Sequence, residues 1–196
     1  MEAEDILNEL KDMFNEKNIS KNDLMIILKK YARTISTYDL MIASALMRED
    51  GKYIQPQYRE KYLEIYIKHF IMRMKEIIDN ENNMNEPIDL QKLDESFHLL
   101  ERTFKEEIIG DAKNDKIALI YVITSLYTTF ILEEPIHPVG SEFPGNLKVT
   151  KEKNTYYCPV KDNQKDNPNA ICHLCLAEQT PISRSEERFS RNAETD

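Results

Sequence analysis

Residues 117–132 read IALIYVITSLYTTFIL, the most apolar run in the chain. The fold turns on whether this run spans a membrane, forms a buried strand, or forms a core helix. It is shorter than the roughly 20 residues that a membrane helix needs, and Thr124, Ser125, Thr128 and Thr129 interrupt it. Its β-branched residues suit a strand, but strands seldom run so long, so its length favours a helix. A helix over about 115–133 would be apolar nearly all round, and such a helix belongs at the centre of a bundle. Glu133-Glu134-Pro135 ends it.

Working outward from this run, the preceding sequence repeats the grammar of amphipathic helices. Residues 3–16 set Ile6, Leu7, Leu10, Met13 and Phe14 on one stripe. Ser20, with Asp23 three residues on, reads as an acidic capping box for a helix over about 21–34 that buries Leu24, Ile27, Leu28 and Tyr31. Ser36 or Thr37 caps a third helix to about Arg48, with Leu40, Ala43, Leu46 and Met47 inward, and Asp50-Gly51 signals a turn. Pro56 opens the longest periodic stretch, to Asn80, at about 35 Å for 1.5 Å per residue. Asp89 can cap a fifth helix whose stripe is Leu90, Leu93, Phe97, Leu100 and Phe104, ended by Gly110. The expected fold class is therefore mainly α: residues 1–135 form a bundle of about six helices.

Beyond Pro135 the pattern changes. Residues 137–175 read HPVGSEFPGNLKVTKEKNTYYCPVKDNQKDNPNAICHLC and hold all three cysteines, spaced C-x13-C-x2-C. Leu147–Val149 and Thr155–Tyr157 read as a β-hairpin around residues 151–154, delivering Cys158 at its end. Asn167-Pro168-Asn169 starts a short helix carrying Cys172 and Cys175. A C-x2-C pair lets two thiolates meet one ion from a tight turn, and zinc completes its tetrahedron with further Cys or His. The expected shell is Cys158, Cys172, Cys175 and His137. His173 is the competing fourth ligand, disfavoured because a His inside a two-residue knuckle points away from the ion. The expected cofactor is zinc, with an iron–sulfur cluster as the alternative, although such clusters normally use four Cys. The bland readings are inert buried thiols or a disulfide, the latter disfavoured by an odd count. A c-type haem is excluded by Leu176 after Cys175. Residues 136–181 thus form a Cys/His metal-binding appendage with a small hairpin, packed on the bundle, and residues 182–196 read as a disordered tail.

Composition narrows the function. The 196-residue chain carries a formal charge of -9, and its mean hydropathy is -0.58. Duplex DNA binding needs a cationic surface that the helical part lacks, so that partner is disfavoured. Lys148, Lys151, Lys153, Lys161 and Lys165 leave RNA or phosphate contact as a minor reading beside solvated loop lysines. The N-terminus, MEAEDILNEL, resembles neither a signal nor a transit peptide, and no membrane association is expected. A cytoplasmic location follows, where reduced cysteines more often serve metals.

Other groups carry weaker signals. Glu95-x-x-His98 is half of a di-iron motif, but the second half is missing, so His98 reads as bonded within its helix near Asp94 and Glu101. His69 reads as a boundary residue. Tyr62, Tyr66 and the Met72–Met74 segment read as core. No P-loop or GxGxxG occurs, and four glycines leave little room for a phosphate cradle.

The segments His137-Pro138-Val139-Gly140, Phe143-Pro144-Gly145, Tyr156-Tyr157-Cys158-Pro159-Val160-Lys161 and Asn167 to Cys172 resemble an uncharacterised family of methanogenic archaea, domain of unknown function 2115. The resemblance covers most of the chain. It brings no activity with it, but it implies an archaeal, anaerobic, cytoplasmic setting, which strengthens the iron–sulfur alternative. The reading is a zinc-stabilised module that binds another protein, or RNA. The rival is a metal-dependent or iron–sulfur redox protein or enzyme built on the same cluster. Whether the chain is an enzyme stays open.

Overall fold

The computed structural model describes residues 2–14, 18–107, 112–168 and 170–181. The expectations placed on Gly110 and on residues 182–196 lie outside them. Six α-helices are present among the described residues: α1 Glu2–Met13, α2 Lys21–Ala32, α3 Thr37–Asp50, α4 Pro56–Asp79, α5 Leu90–Glu107 and α6 Ala112–Leu126. No helix among the described residues is long and apolar enough to cross a membrane.

The local signals act as their chemistry dictates. Ser20 Oγ accepts the amide of Asp23, and the Asp23 carboxylate accepts the Ser20 amide at 2.8 Å, closing the capping box of α2. Ser36 and Asp39 repeat it at α3. Each box satisfies two amides that the first helical turn leaves unpaired. Asp89 Oδ1 accepts the Lys92 amide at 3.1 Å at the head of α5.

The 117–132 run is the centre of the molecule. Leu119, Ile120, Ile123 and Leu126 are fully enclosed, and α6 packs against α1, α2, α3 and α4. It differs from the expected α-helix at its end. Residues Tyr127–Ile131 form a π-helical turn, with the Leu132 amide donating to the Tyr127 carbonyl at 3.1 Å. The Thr124 hydroxyl donates to the Ile120 carbonyl at 2.8 Å just before it, a bond that bends helices. The turn directs residues 132–137 back over α4. There Arg73, only 8% exposed, pairs with Glu76 at 2.6 Å and also with Glu134. A cavity of about 30 Å³ lies beneath, bordered by Tyr66, His69, Arg73, Thr128 and Ile136.

Among the described residues after Pro135 are five short strands: β1 Glu142–Phe143, β2 Leu147–Lys148, β3 Thr150–Glu152, β4 Thr155–Cys158 and β5 Glu178–Gln179. The hairpin is β3–β4, joined at Lys153-Asn154, with Glu152 opposite Thr155. Lys153 supplies the left-handed turn conformation (φ 53°) that a glycine usually provides. Leu147 is not part of this hairpin. It pairs with Phe143 in a second ribbon turned by Gly145 and Asn146, both at positive φ. The strand β5 adds to β4 in parallel, with Cys158 opposite Gln179. Between them, the expected short helix is a 3-10 turn, Ile171–His173, and the Cys175 amide, just beyond it, donates to the Cys172 carbonyl at 3.2 Å.

This C-terminal unit has little core of its own. Val149, Cys158 and Ala177 form its buried cluster, with Phe143, Tyr156, Val160 and Cys175 against it. It leans on the bundle instead. Leu174 enters the main core, Lys61 of α4 pairs with Glu142 at 2.6 Å, and Arg102 of α5 donates to the Pro168 carbonyl. At roughly 25 cal/mol per Å² of apolar burial, so small a cluster cannot by itself offset the entropy of ordering some forty residues.

Candidate functional site

Each cysteine arrives by its own local device. Cys158 ends β4 and is followed by Pro159, which turns the chain so that the Val160 and Lys161 amides donate to its sulfur. Cys172 sits in the 3-10 turn and is half-buried. Cys175 Sγ accepts the Ile136 amide at 3.3 Å, across 39 residues of sequence. All three thiols are free.

The thiols are neighbours. Cys175 packs on the cluster that contains Cys158. Burial raises the Cys172 thiol above its ordinary value, and the adjacent Cys175 and Cys158 raise it further. Burial likewise raises Cys158, with Cys175 adding to it. Lys161 opposes both shifts. Its ammonium donates to the Cys175 carbonyl at 2.8 Å and to the Ala177 carbonyl, which fixes the loop that carries the pair. Among the described residues, no three His, Cys, Asp or Glu side chains converge as a ready-made metal shell.

His137 stands beside this group in an aromatic box. Its ring centroid lies 6.0 Å from Tyr62, 5.8 Å from Tyr66 and 5.4 Å from Phe143. Tyr62 and Tyr66 are stacked at 5.7 Å. Tyr62 Oη is 3.0 Å from His137 Nε2. Burial lowers the imidazole to about 4, so the ring is neutral at pH 7. Burial raises both phenols, with Cys172 contributing to each, so they stay protonated beside the thiols.

His173 is elsewhere. Its Nε2 is 2.8 Å from the Asn167 carbonyl, and its exposed ring faces a groove of about 810 Å³ between α5 and the cysteine loop. Glu95 and His98 border the same groove, and His98 meets Asp94 at 3.5 Å. His69 is half-buried on α4, its Nε2 enclosed.

Sequence reading passed over Tyr62, Tyr66 and Phe143 as members of this site. The two tyrosines occupy i and i+4 on α4, which reads as core, and only the return of the chain over α4 reveals their neighbours. A signal was present for the Cys158 turn, since Cys-Pro after a strand predicts amides aimed back at the sulfur. The Ile136 amide could not be foreseen, because its direction depends on the π turn.

The family described as an uncharacterized protein conserved in archaea (DUF2115) matches residues 20–180. A UPF0305 protein of Methanocaldococcus jannaschii is 35% identical over 151 residues, which is 76% of this chain and 90% of the relative. Another, of Methanothermobacter thermautotrophicus, is 33% identical over 162 residues, 82% of this chain and 97% of the relative. A third, of Methanopyrus kandleri, is 32% identical over 143 residues, 69% and 97% of the two chains. No solved structure matches. The family match begins at the cap of α2 and ends just past β5, so it takes in both the bundle and the thiol site: this chain belongs to the DUF2115 family of archaea.

Proposed function

We propose that Cys158, Cys172 and Cys175, with His137, hold one zinc ion, and that the ion's role is structural. The observation that carries this reading is that three free thiols from separate elements are gathered in one neighbourhood, with Cys175 packed on the cluster of Cys158, Cys172 interacting electrostatically with both, and the Ile136 amide, next to His137, donating to Cys175 Sγ at 3.3 Å. Metal binds sulfur as thiolate, so the ion would displace the proton from each thiol. A closed Cys3His shell matches the chemistry of structural zinc. Binding worth on the order of 10 kcal/mol would order a unit whose own core is only a few residues. The ion would tie the end of α6, through His137, to β4 and to the cysteine loop.

The module would act by presenting the bundle to another protein. Tyr38 and Met41 on α3 are 68% and 64% exposed, with Leu46 on the same helix also exposed, an apolar surface that suits a protein partner better than RNA. The test of the site is metal analysis and absorption spectroscopy on anaerobically purified full-length protein. One equivalent of zinc, lost on replacing the cysteines, is the expected result. Iron with sulfide and a brown colour would overturn zinc in favour of a cluster, and protein free of metal would overturn the site.

A further inference from the structure

The chain presents Cys172 and Cys175 differently from Cys158. From Ala170 to Cys175 the backbone is wound in successive bonds between residues three apart. The His173 amide donates to the Ala170 carbonyl at 3.1 Å, Leu174 to Ile171 at 3.0 Å, and Cys175 to Cys172 at 3.2 Å. Three residues complete one turn of such a coil, so side chains three apart lie one above the other on the same side. At about 2.0 Å of rise per residue, their Cα atoms are roughly 6 Å apart. A disulfide takes Cα atoms at about 4.4–6.8 Å, so this turn brings the pair within reach of a bond without moving the backbone. Both thiols are half-buried, whereas Cys158 is 5% exposed and tied into the β4–β5 ladder. Of the two sulfurs that act on Cys172, Cys175 acts more strongly. Cys175 is itself fastened, by the Ile136 amide on Sγ at 3.3 Å and the Lys161 ammonium on its carbonyl at 2.8 Å.

We infer that Cys172 and Cys175 are a redox pair, which a low-molecular-weight disulfide converts to a disulfide across the turn while Cys158 stays a thiol. The inference goes beyond the zinc reading and does not need it, because it takes two thiols and no ion. The chemistry is thiol–disulfide exchange. One cysteine, as thiolate, attacks a sulfur of the oxidant, whose S–S bond breaks and releases one thiol. The second cysteine attacks the protein sulfur of the mixed disulfide, closing the Cys172–Cys175 bond and releasing the second thiol. Two electrons pass from the pair to the oxidant, and the two cysteine protons end on the released thiols. An odd count of cysteines argues against a disulfide framework, but not against one pair with a buried third thiol beside it. A disulfide sulfur has lost its thiolate charge, so closing the bond takes two donors from any ion that the three cysteines share.

The experiment treats full-length protein with oxidised glutathione, once as purified and once after a chelator has removed metal. Remaining thiols are alkylated and the tryptic peptides weighed. Lys161 and Lys165 separate Cys158 from the pair, and no Lys or Arg lies between Cys172 and Cys175. In metal-free protein the expected result is loss of two of three titratable thiols. The Cys172–Cys175 peptide should be lighter by two hydrogen atoms, Cys158 should be alkylated, and dithiothreitol should reverse the change. The wild-type map decides the matter, and Cys158→Ser, if it folds, should form the same bond. Glutathione left as a mixed disulfide, a bond that includes Cys158, or three thiols that resist oxidation would each overturn the inference. Zinc in the purified protein, with metal-free thiols that resist, would overturn the inference and leave the zinc reading standing. The mapped bond in a protein that takes up no metal would do the reverse.

Discussion

Tyr62 and His137 are 75 residues apart in sequence, yet their side chains meet at 3.0 Å and join the long helix α4 to the chain that leaves the bundle. The contact has a consequence independent of metal. In Tyr62→Phe the ring stack is kept, but His137 Nε2 loses its partner in a buried setting. An orphaned buried acceptor or donor costs about 1–3 kcal/mol. Urea unfolding of metal-free protein should show a loss in that range. An unchanged midpoint would mean that water replaces the phenol freely.

Leu126 is 1% exposed at the last α-helical residue before the π turn. Leu126→Ala should destabilise the protein by about 2–5 kcal/mol, as truncation of an enclosed leucine does. Thermal and denaturant unfolding measure this directly. A variant as stable as the parent would remove α6 from the centre of the bundle.

Gly51 predicts a different kind of defect. A Cβ at this position would lie 2.7 and 2.8 Å from the two methyl carbons of the buried Leu63. Gly51→Ala should therefore cost about 1–3 kcal/mol through overpacking. Pairing it with Leu63→Ala should recover part of the loss, because the clash is then gone. Additive losses in the double variant would show that Leu63 is not the cause.

Burial is the main reason that His69 lies below its ordinary value of 6.5, with Arg73 adding to it while Glu134 and Glu76 oppose it. Unfolding exposes the ring, which then takes up a proton below about pH 6.5. Its contribution to stability is full above that pH and declines as pH falls toward the lowered folded value. His137, held at about 4, acts in the same direction and window. In metal-free protein, His69→Gln should make the decline in stability between pH 7 and pH 5 shallower without abolishing it. An unaltered slope would exclude His69 as a contributor.

The helices were legible in the sequence because their causes are local. Ser20 and Asp23, or Ser36 and Asp39, carry their reciprocal hydrogen bonds within four residues, so the pattern and the structure are the same fact. Leu46 shows the limit: it sits on the apolar stripe of α3 but is 39% exposed, because no element among the described residues covers that flank. Gly51 was readable as a break, yet its φ is an ordinary −63°, and glycine is required there by the approach of Leu63. The strand pairing was misjudged where it depends on a distant partner. Val149 is buried between two ribbons and lies in neither, and β5 joins β4 only after nineteen intervening residues. At the thiol site, the Cys158 turn was encoded by its own neighbours. The placement of His137 among Tyr62, Tyr66 and Phe143 was not, since α4 and the returning chain contribute separately.

The π-helical turn at Tyr127–Ile131 acts as a phase shift. An α-helix advances 100° per residue, and widening one turn by a single residue rotates everything after it by about that angle. Deleting one residue from the turn would restore an unbroken helix and swing Glu134, Ile136 and His137 roughly a quarter-turn about the axis of α6. Arg73 would lose a carboxylate, Cys175 an amide and Tyr62 an imidazole together. The bundle and the cysteine unit are thus kept in angular register by the surplus residue, which ties the length of this segment, more tightly than its composition, to the integrity of the site.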